Sequence, residues 1–418
     1  MQNIIIDKPY KYVPPVTAKI WPRILVHYFR RYVRRKYGLS EVEVHGLELI
    51  RKSIAAGHGI MITPNHCRDS DPLLMAELVA LIPQPLYYMA SWHLFMQSRL
   101  QTFLIRRAGA FSIHREGMDR AALNMAIQTL ETAERPLVVF PEGVVSRTND
   151  RLNTLLDGTA MIARTAAKKR AKQNPPGQVV IHPLAIRYKF EGDLFATLEP
   201  VLDEMERRLS WQSQKHLTLA GRIAKLGQGL LTLKEIEYMG QPQHGPIFDR
   251  MQRLINHLLV PLETEWLEGP REGHVVARVK QLRTAILPDM IKGDIGEQER
   301  TRRWKQLADI YLAQQLSFYP PDYIASNPTP ERLLETVERF EEDLTDKVRA
   351  HKPIRVIMRL GQAIEVSPTR ERESRGESDP LMQKIEEQLK SLLGITNGNE
   401  AAPKTAVGPA VPDILAST

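Results

Sequence analysis

Two residues able to move a proton, His66 and Asp71, lie close together within the sequence NHCRDSD at positions 65–71. A neutral imidazole suits the role of general base near pH 7. A carboxylate on its second ring nitrogen fixes the tautomer and stabilises the imidazolium that forms. A histidine followed five positions later by an acid also occurs by chance in many chains, so the pair needs support from its surroundings.

The local pattern places the pair between a strand and a helix. Residues 59–63 read as a short buried strand that Pro64 ends, Asp71 suits a helix N-cap, and Pro72 suits the first helical position. Residues i and i+5 of a helix point about 140° apart, so a loop is needed to bring His66 and Asp71 together. Loops of this kind carry much of the chemistry of α/β proteins.

The rest of the chain predicts an α/β fold with a central mixed, largely parallel sheet flanked by helices. Strand and helix patterns alternate from Val42 to Tyr188. Long helical patterns without a recurring period fill residues 197–350, and Ile354–Leu360 returns to strand character. We therefore predict a basic arm and surface helix (1–40), an α/β core (41–192), a helical insertion (193–350), a strand completing the core (351–366), and a C-terminal helix with a disordered tail (367–418).

The net charge of +8 lies within the first forty residues, which hold nine basic side chains against Asp7 alone. Residues 18–37 form an amphipathic helical pattern with aromatic residues on one face and arginines elsewhere, which is typical of a helix lying on anionic lipid. The alternative is a helix docked on its own domain with a solvated charged face. Nucleic acid is not expected as a partner, because no basic platform interleaved with aromatic residues follows.

No apolar run is long enough to span a bilayer, and the N-terminus lacks the apolar region of a signal peptide. The single cysteine, Cys67, excludes an internal disulfide and favours a reducing compartment. These features predict a peripheral protein on the cytoplasmic face of a membrane.

Three further blocks lie at predicted strand ends. GAFSIHR at 109–115 ends in the cation Arg115, and FPEG at 140–143 forms a turn with Glu142, followed by Arg147. IHPLAI at 181–186 places Pro183 inside an apolar strand, which indicates an edge or a bulge.

In their order and spacing, the four blocks resemble the motifs of bacterial 1-acylglycerol-3-phosphate acyltransferases and related glycerolipid acyltransferases over roughly residues 40–190. The resemblance implies that His66 is the general base and Asp71 its orienting partner. It also implies that Arg115 and the Glu142–Gly143 turn bind the acceptor, and that Pro183 shapes the acyl or thioester side. The full implied substrate-binding set is Asn65, Gly109, Arg115, Glu142, Gly143, Arg147 and Pro183.

The function that the resemblance implies is transfer of a fatty acyl group to the hydroxyl of a lysophospholipid or another lipid alcohol. The donor would be the thioester of acyl-CoA or acyl carrier protein, with no bound cofactor. Val144 and Val145 stand where the family usually has threonine and arginine, and His114 stands where aspartate is common, so the acceptor is left open. The alternative function is a catalytically idle lipid-binding or scaffold protein of the same fold.

Two other interpretations concern a metal site and the basic end of a predicted helix. His114 and His182 could join His66, Asp69 and Asp71 in a metal site, but no pair has the i, i+4 spacing of helical ligands, so no metal is expected. The basic helix end at residues 164–172 is interpreted as a solvated last turn that complements the helix dipole, with contact to a donor nucleotide or a membrane as the alternative.

Overall fold

The computed structural model describes residues 5–321, 323–345, 347, 349–369 and 379–395, which form two compact units. The α/β unit comprises Tyr10–Gly192 and the described residues of Ala350–Glu400. The helical unit comprises Asp193–Arg349 and the described residues of Met1–Pro9. The predicted disordered tail from residue 396 onward lies outside the described residues.

The α/β unit is organised around one sheet. Its described strands are β1 (Leu39–His45), β2 (Gly59–Pro64), β3 (Tyr87–Ser91), β4 (Ala110–Ile113), β5 (Leu137–Val138), β6 (Val179–Phe190), β7 (Ile354–Leu360) and β8 (Ile364–Glu365). Their order is β1-β7-β6-β2-β5-β3-β4, and β8 also pairs with β6. Strands β6, β2, β5, β3 and β4 are mutually parallel, whereas β7 is parallel to β1 and antiparallel to β6. The predicted mixed, largely parallel sheet is confirmed.

The described helices flank this sheet or form the helical unit. In the α/β unit they are α1 (Ile20–Tyr37), α2 (Leu47–Ala55), α3 (Asp71–Leu81), α4 (His93–Met96), α5 (Arg99–Ala108), α6 (Arg120–Thr132) and α7 (Gly158–Arg170). In the helical unit they are α8 (Leu194–Arg208), α9 (Leu219–Met239), α10 (Ile247–Leu267), α11 (Val275–Lys292), α12 (Glu297–Ser317) and α13 (Pro330–Thr345). The chain then returns to the α/β unit, where α14 (Pro380–Leu393) follows the last strands.

Both faces of the central strands are buried, which explains why β2 reads as a continuous apolar run. Met61 points to a core built with α6, α7 and α14. Ile60 and Ile62 point to the opposite core, built with α1, α2 and α3. The alternation of side chains along the strand therefore holds one layer of helices on each face of the sheet.

Helix α1 is part of the α/β unit, which corrects its assignment to a separate surface segment. The side chains that it buries are Pro22, Leu25, Val26 and Val33. Arg30 and Arg34 both form ion pairs with Glu77 of α3, a nearly buried carboxylate. The apolar and aromatic side chains that were predicted to share one face of α1 therefore have different surroundings. Leu25 is buried, whereas Ile24 and Tyr28 remain exposed.

Pro183 does not lie at a sheet edge, because β6 is an interior strand. On one side it pairs with Thr63 of β2. On the other side the antiparallel neighbour changes here, since β8 pairs with β6 up to Ile181 and β7 pairs from Leu184. A residue without a backbone N–H is tolerated at this change of partner. The carbonyl of Pro183 accepts the N–H of Gly361 at 2.7 Å.

The helical unit contains a repeat that the sequence analysis missed. Buried arginines at intervals of 28 residues, Arg222, Arg250 and Arg278, each pair with a buried glutamate 15 or 16 residues upstream: Glu206, Glu235 and Glu263. Each glutamate also accepts the backbone N–H of the residue eight positions after it. A buried leucine follows each arginine by four residues, at 226, 254 and 282. The recurring unit is therefore a pair of helices joined by one buried ion pair.

Within the part of the chain that the structure describes, no helix combines the length and the apolar character needed to cross a bilayer.

Candidate active site

The loop between β2 and α3 brings His66 and Asp71 into contact. Nδ1 of His66 lies 3.0 Å from Oδ2 of Asp71. Because a carboxylate only accepts hydrogen bonds, Nδ1 carries a proton, and in the neutral imidazole Nε2 then has the free lone pair. The side chain of His66 is 12% exposed, whereas that of Asp71 is fully buried. The pair therefore has the tautomer and the limited access that a general base requires.

Asp71 does not cap α3, contrary to the sequence prediction. It is the first residue of the helix, and Ser70 occupies the N-cap position without a side-chain capping bond. The Asp71 carboxylate turns back into the loop, where Oδ2 also accepts the N–H of Arg68 at 2.9 Å. Oδ1 accepts the hydroxyl of Tyr188 at 2.6 Å. These donors replace water around a buried carboxyl group.

The backbone of His66 is tied to the loop that follows β5. Its N–H donates to Oε1 of Glu142 at 2.7 Å, and its carbonyl accepts the N–H of Ser146 at 2.7 Å. The ring of Phe140 lies against the imidazole, with centroids 4.3 Å apart. The block at 140–146 therefore fixes the backbone and one side of the ring of His66.

Both carboxyl oxygens of Glu142 accept backbone N–H groups. Oε2 accepts the N–H of Asn153 at 3.0 Å, in addition to the bond from His66 to Oε1. Burial raises the pKa of Glu142 to about 8, against the smaller opposing effect of these two N–H donors. The side chain that the resemblance assigns to the acceptor thus joins two loops beside the base.

Two asparagines extend the pairing of β6 beyond the end of β2. Oδ1 of Asn65 accepts the N–H of Ile186 at 2.7 Å, and its Nδ2 donates to the carbonyl of the same residue at 3.1 Å. Asn149 does the same with the N–H and carbonyl of Tyr188, both at 2.7 Å. The side-chain amide of Asn65 is therefore bonded to the backbone of β6. Asn149 anchors the loop of residues 141–157 to the same strand.

Arg115 follows a different strand. It lies after β4, three strands from β2 in the sheet order, so the two strand ends are about 14 Å apart at ordinary strand spacing. Because the intervening strands are parallel, both ends lie at the same edge.

Burial, and secondly the guanidinium of Arg115, lower the pKa of His93 to about 4. Arg115 therefore has a neutral imidazole beside it.

The predicted glycines have backbone roles. Gly109 ends α5 with a φ of 108°, and an added Cβ would lie 2.3 Å from the carbonyl oxygen of Leu86. Gly143 has a φ of 69°, where a Cβ would meet Leu156 at 2.5 Å. Arg147 has a φ of 58° in the same loop. Both glycines permit turns that place their blocks at the strand ends.

The N-terminal arm reaches the end of β4, which the sequence did not indicate. Val13 exchanges hydrogen bonds with Ser112 through its carbonyl and its N–H. The ring of Tyr10 stacks on that of His114 with centroids 5.0 Å apart, and its hydroxyl donates to Asp119 at 2.5 Å. The arm thus covers an edge strand and contacts His114, the residue before Arg115.

The basic end of α7 is less solvated than predicted. Arg170 is buried and donates to the carbonyls of Glu131 and Gly57, both at 2.7 Å. Arg164 pairs with Asp379 of the segment before α14. These arginines join elements of the α/β unit.

Among the described residues, no group of three or more histidines, cysteines, aspartates or glutamates is arranged to hold a metal ion.

Residues 41–187 match the family model described as Acyltransferase. A stretch of 107 residues is 36% identical to the 1-acyl-sn-glycerol-3-phosphate acyltransferase of Streptococcus pneumoniae. The stretch covers 26% of this chain and 37% of that relative. The chain therefore matches little more than a third of the relative's length.

Proposed function

We propose that the protein is an O-acyltransferase, because residues 41–187 match the family model described as Acyltransferase. It moves a fatty acyl group from the thioester of acyl-CoA or acyl carrier protein to the hydroxyl of a lysophospholipid or another lipid alcohol. The observation that carries the proposal is the hydrogen bond from Nδ1 of His66 to Asp71, which leaves Nε2 as a base in a partly open loop.

The proposed reaction needs one proton carrier. Nε2 of His66 takes the proton of the acceptor hydroxyl as its oxygen attacks the thioester carbonyl. Asp71 stabilises the imidazolium that forms. When the tetrahedral intermediate collapses, the C–S bond breaks, the ester remains on the acceptor, and the imidazolium returns the proton to the leaving thiolate. The products are an ester and a free thiol, and the base is restored without a cofactor.

We assign the acceptor head group to the side of the sheet edge where Arg115 lies. A guanidinium is suited to a phosphate, which it can bind through two parallel hydrogen bonds. The relative from Streptococcus pneumoniae is named for a phosphate-bearing acceptor. A lysophosphatidate-like acceptor is therefore our first candidate. Val144 and Val145 supply no positive charge for the phosphate. Arg115 therefore contributes more to phosphate binding than it would if a basic residue stood at one of these two positions.

We further propose that the protein works at an anionic membrane surface. Helices α1 and α5 are neighbours, since Arg107 lies over the rings of both Trp21 and Phe103. Each helix presents exposed apolar side chains, among them Ile24 at 53% and Leu100 at 67% exposure. Exposed apolar residues beside exposed arginines are the combination that binds a lipid interface.

The test is acyl transfer by the purified protein. Radiolabelled palmitoyl-CoA and palmitoyl-acyl carrier protein are each supplied with lysophosphatidate, lysophosphatidylcholine or monoacylglycerol. We expect a labelled ester product with at least one donor and one acceptor. Arg115→Ala should raise KM for lysophosphatidate and leave KM for uncharged monoacylglycerol unchanged. Absence of transfer to every acceptor would contradict the proposal and favour the idle lipid-binding alternative.

A further inference from the structure

A buried tyrosine completes the surroundings of Asp71. Tyr188 lies on β6, and its ring is fully enclosed. Its hydroxyl is 2.6 Å from Oδ1 of Asp71, the oxygen that His66 does not use. Because a carboxylate only accepts, the phenol must be the donor. The two oxygens of Asp71 are therefore held from opposite sides, one by the proposed base and one by Tyr188.

The direction of the next hydrogen bond follows from proton counting. A phenol has one proton, and Tyr188 gives it to Asp71. The hydroxyl of Ser70, 2.8 Å from the Tyr188 oxygen, must then donate to that oxygen. Ser70 is fully buried and makes no capping bond to α3, so its hydroxyl serves the tyrosine. The order of donation is Ser70 to Tyr188 to Asp71, with His66 donating to the same carboxylate.

The position of Tyr188 does not depend on its hydroxyl. Its backbone N–H and carbonyl are held by Asn149, and β7 pairs with it through Val356. The guanidinium of Arg68 lies 5.1 Å from the centre of its ring. Removing only the oxygen therefore leaves the ring in place and deprives Asp71 of one donor.

We propose that Tyr188, supported by Ser70, is a positioning residue that keeps the carboxylate of Asp71 aimed at His66. The inference rests on the proposed function, because it assigns Tyr188 a part in activating the same base. Without the phenol, Oδ1 of Asp71 keeps only the weak thiol donor of Cys67 at 4.0 Å, and the carboxylate gains freedom to turn from the imidazole. The consequence is a slower chemical step with unchanged substrate binding.

The test compares Tyr188→Phe with the wild-type protein and with Tyr87→Phe. Tyr87 is a matched control, since it is also fully buried on the same sheet and its hydroxyl has no hydrogen-bond partner among the described residues. For Tyr188→Phe we expect kcat to fall about 10- to 100-fold, the effect of losing one hydrogen bond to a charged group, with KM for both substrates unchanged. Ser70→Ala should lower kcat in the same direction by a smaller factor.

A second readout needs no turnover. The Nδ1 proton of His66 should give a low-field proton NMR resonance, identified by its loss in His66→Ala, and this resonance should shift or broaden in Tyr188→Phe and stay unchanged in Tyr87→Phe. A kcat within twofold of wild type, or an unmoved resonance, would overturn the inference. Failure of the proposed function is a different outcome, in which the wild-type protein itself transfers no acyl group.

Discussion

The carboxyl group of Glu142 accepts the backbone N–H of His66 at 2.7 Å, across 76 residues of sequence. The same carboxyl group accepts the N–H of Asn153, and Ser146 donates its own N–H to the carbonyl of His66. The block at 140–146 thus holds the backbone of the proposed base on both sides of the residue. We therefore assign this block to positioning as well as to the acceptor.

The first prediction concerns the tautomer of the proposed base. In Asp71→Asn the amide can present an N–H to Nδ1 of His66, which would favour the tautomer whose proton sits on Nε2. That tautomer cannot accept a proton from the acceptor. We expect kcat to fall by a factor on the order of 10² to 10⁴, no more than in His66→Ala, with KM little changed. Asp69→Asn, an exposed acid in the same loop, is the control and should keep kcat within twofold.

The second prediction concerns stability and pH. The pKa of Glu142 is about 8 in the folded protein against an ordinary 4.5, so between these values the folded state binds more protons than the unfolded state. The free energy of unfolding must then fall as pH rises through this window. Glu142→Gln removes this titration. Its Tm relative to wild type should rise by several °C between pH 5 and pH 8.5, measured by calorimetry at matched ionic strength.

The amide introduced by Glu142→Gln also turns an N–H toward a backbone donor, and this penalty does not vary with pH. Therefore only the pH-dependent part of the Tm difference between Glu142→Gln and wild type reports the titration of the buried carboxyl group. A Tm difference that stays constant across the range would show that Glu142 does not titrate near pH 8.

The third prediction concerns the membrane surface. Deleting residues 1–40 would also remove Val33 and Leu39 from the core, so point substitutions are the cleaner test. The triple variant Ile20→Asn, Ile24→Asn and Leu100→Asn should reduce sedimentation with phosphatidylglycerol vesicles at least tenfold, because each change removes apolar area from the lipid interface.

Its control is Leu233→Asn with Ile236→Asn, two exposed apolar residues of α9 in the helical unit. These should leave vesicle binding unchanged. Equal retention of the triple variant and the wild type would mean that another surface meets the lipid.

The fourth prediction concerns the repeated ion pairs. Arg250→Met leaves Glu235 fully buried without its charged partner, which typically costs about 3–5 kcal/mol. The double variant Arg250→Met with Glu235→Leu removes both charges and should recover most of that loss. Hydrogen exchange of α9 and α10 amides measures the effect locally. The exposed pair of Lys234 and Glu237 is the control, and Lys234→Ala should cost about 1 kcal/mol or less.

The sequence predicts the sheet well because β2 and β6 are buried on both faces, and such strands read as apolar runs, β2 being bounded by Gly59 and Pro64. It does not disclose that α1 docks on α3, because the partner of Arg30 and Arg34 is a glutamate 43 or more residues away, Glu77. Local pattern carries no information about such pairings.

At the candidate site, too, contacts between residues far apart in the sequence could not be predicted. His66 and Asp71 can be found from spacing and context, since both lie in one loop. Tyr188 has no sequence signal of its own, because it is one of several alternating residues on a long strand and becomes visible only when β6 is placed beside the loop. The 28-residue repeat was discernible from Arg222, Arg250 and Arg278, and α9, α10 and α11 begin at the same interval, but most residues between these positions differ from one unit to the next.

The most direct test of the central claim is the rate of acyl transfer by His66→Ala at saturating donor and acceptor. Since a positioned general base contributes about 10²- to 10⁴-fold, we predict a loss of kcat of that size with an unchanged fold by circular dichroism. The control His45→Ala alters an exposed histidine at the end of β1 and should retain wild-type kcat. Transfer by His66→Ala at the wild-type rate would contradict the account.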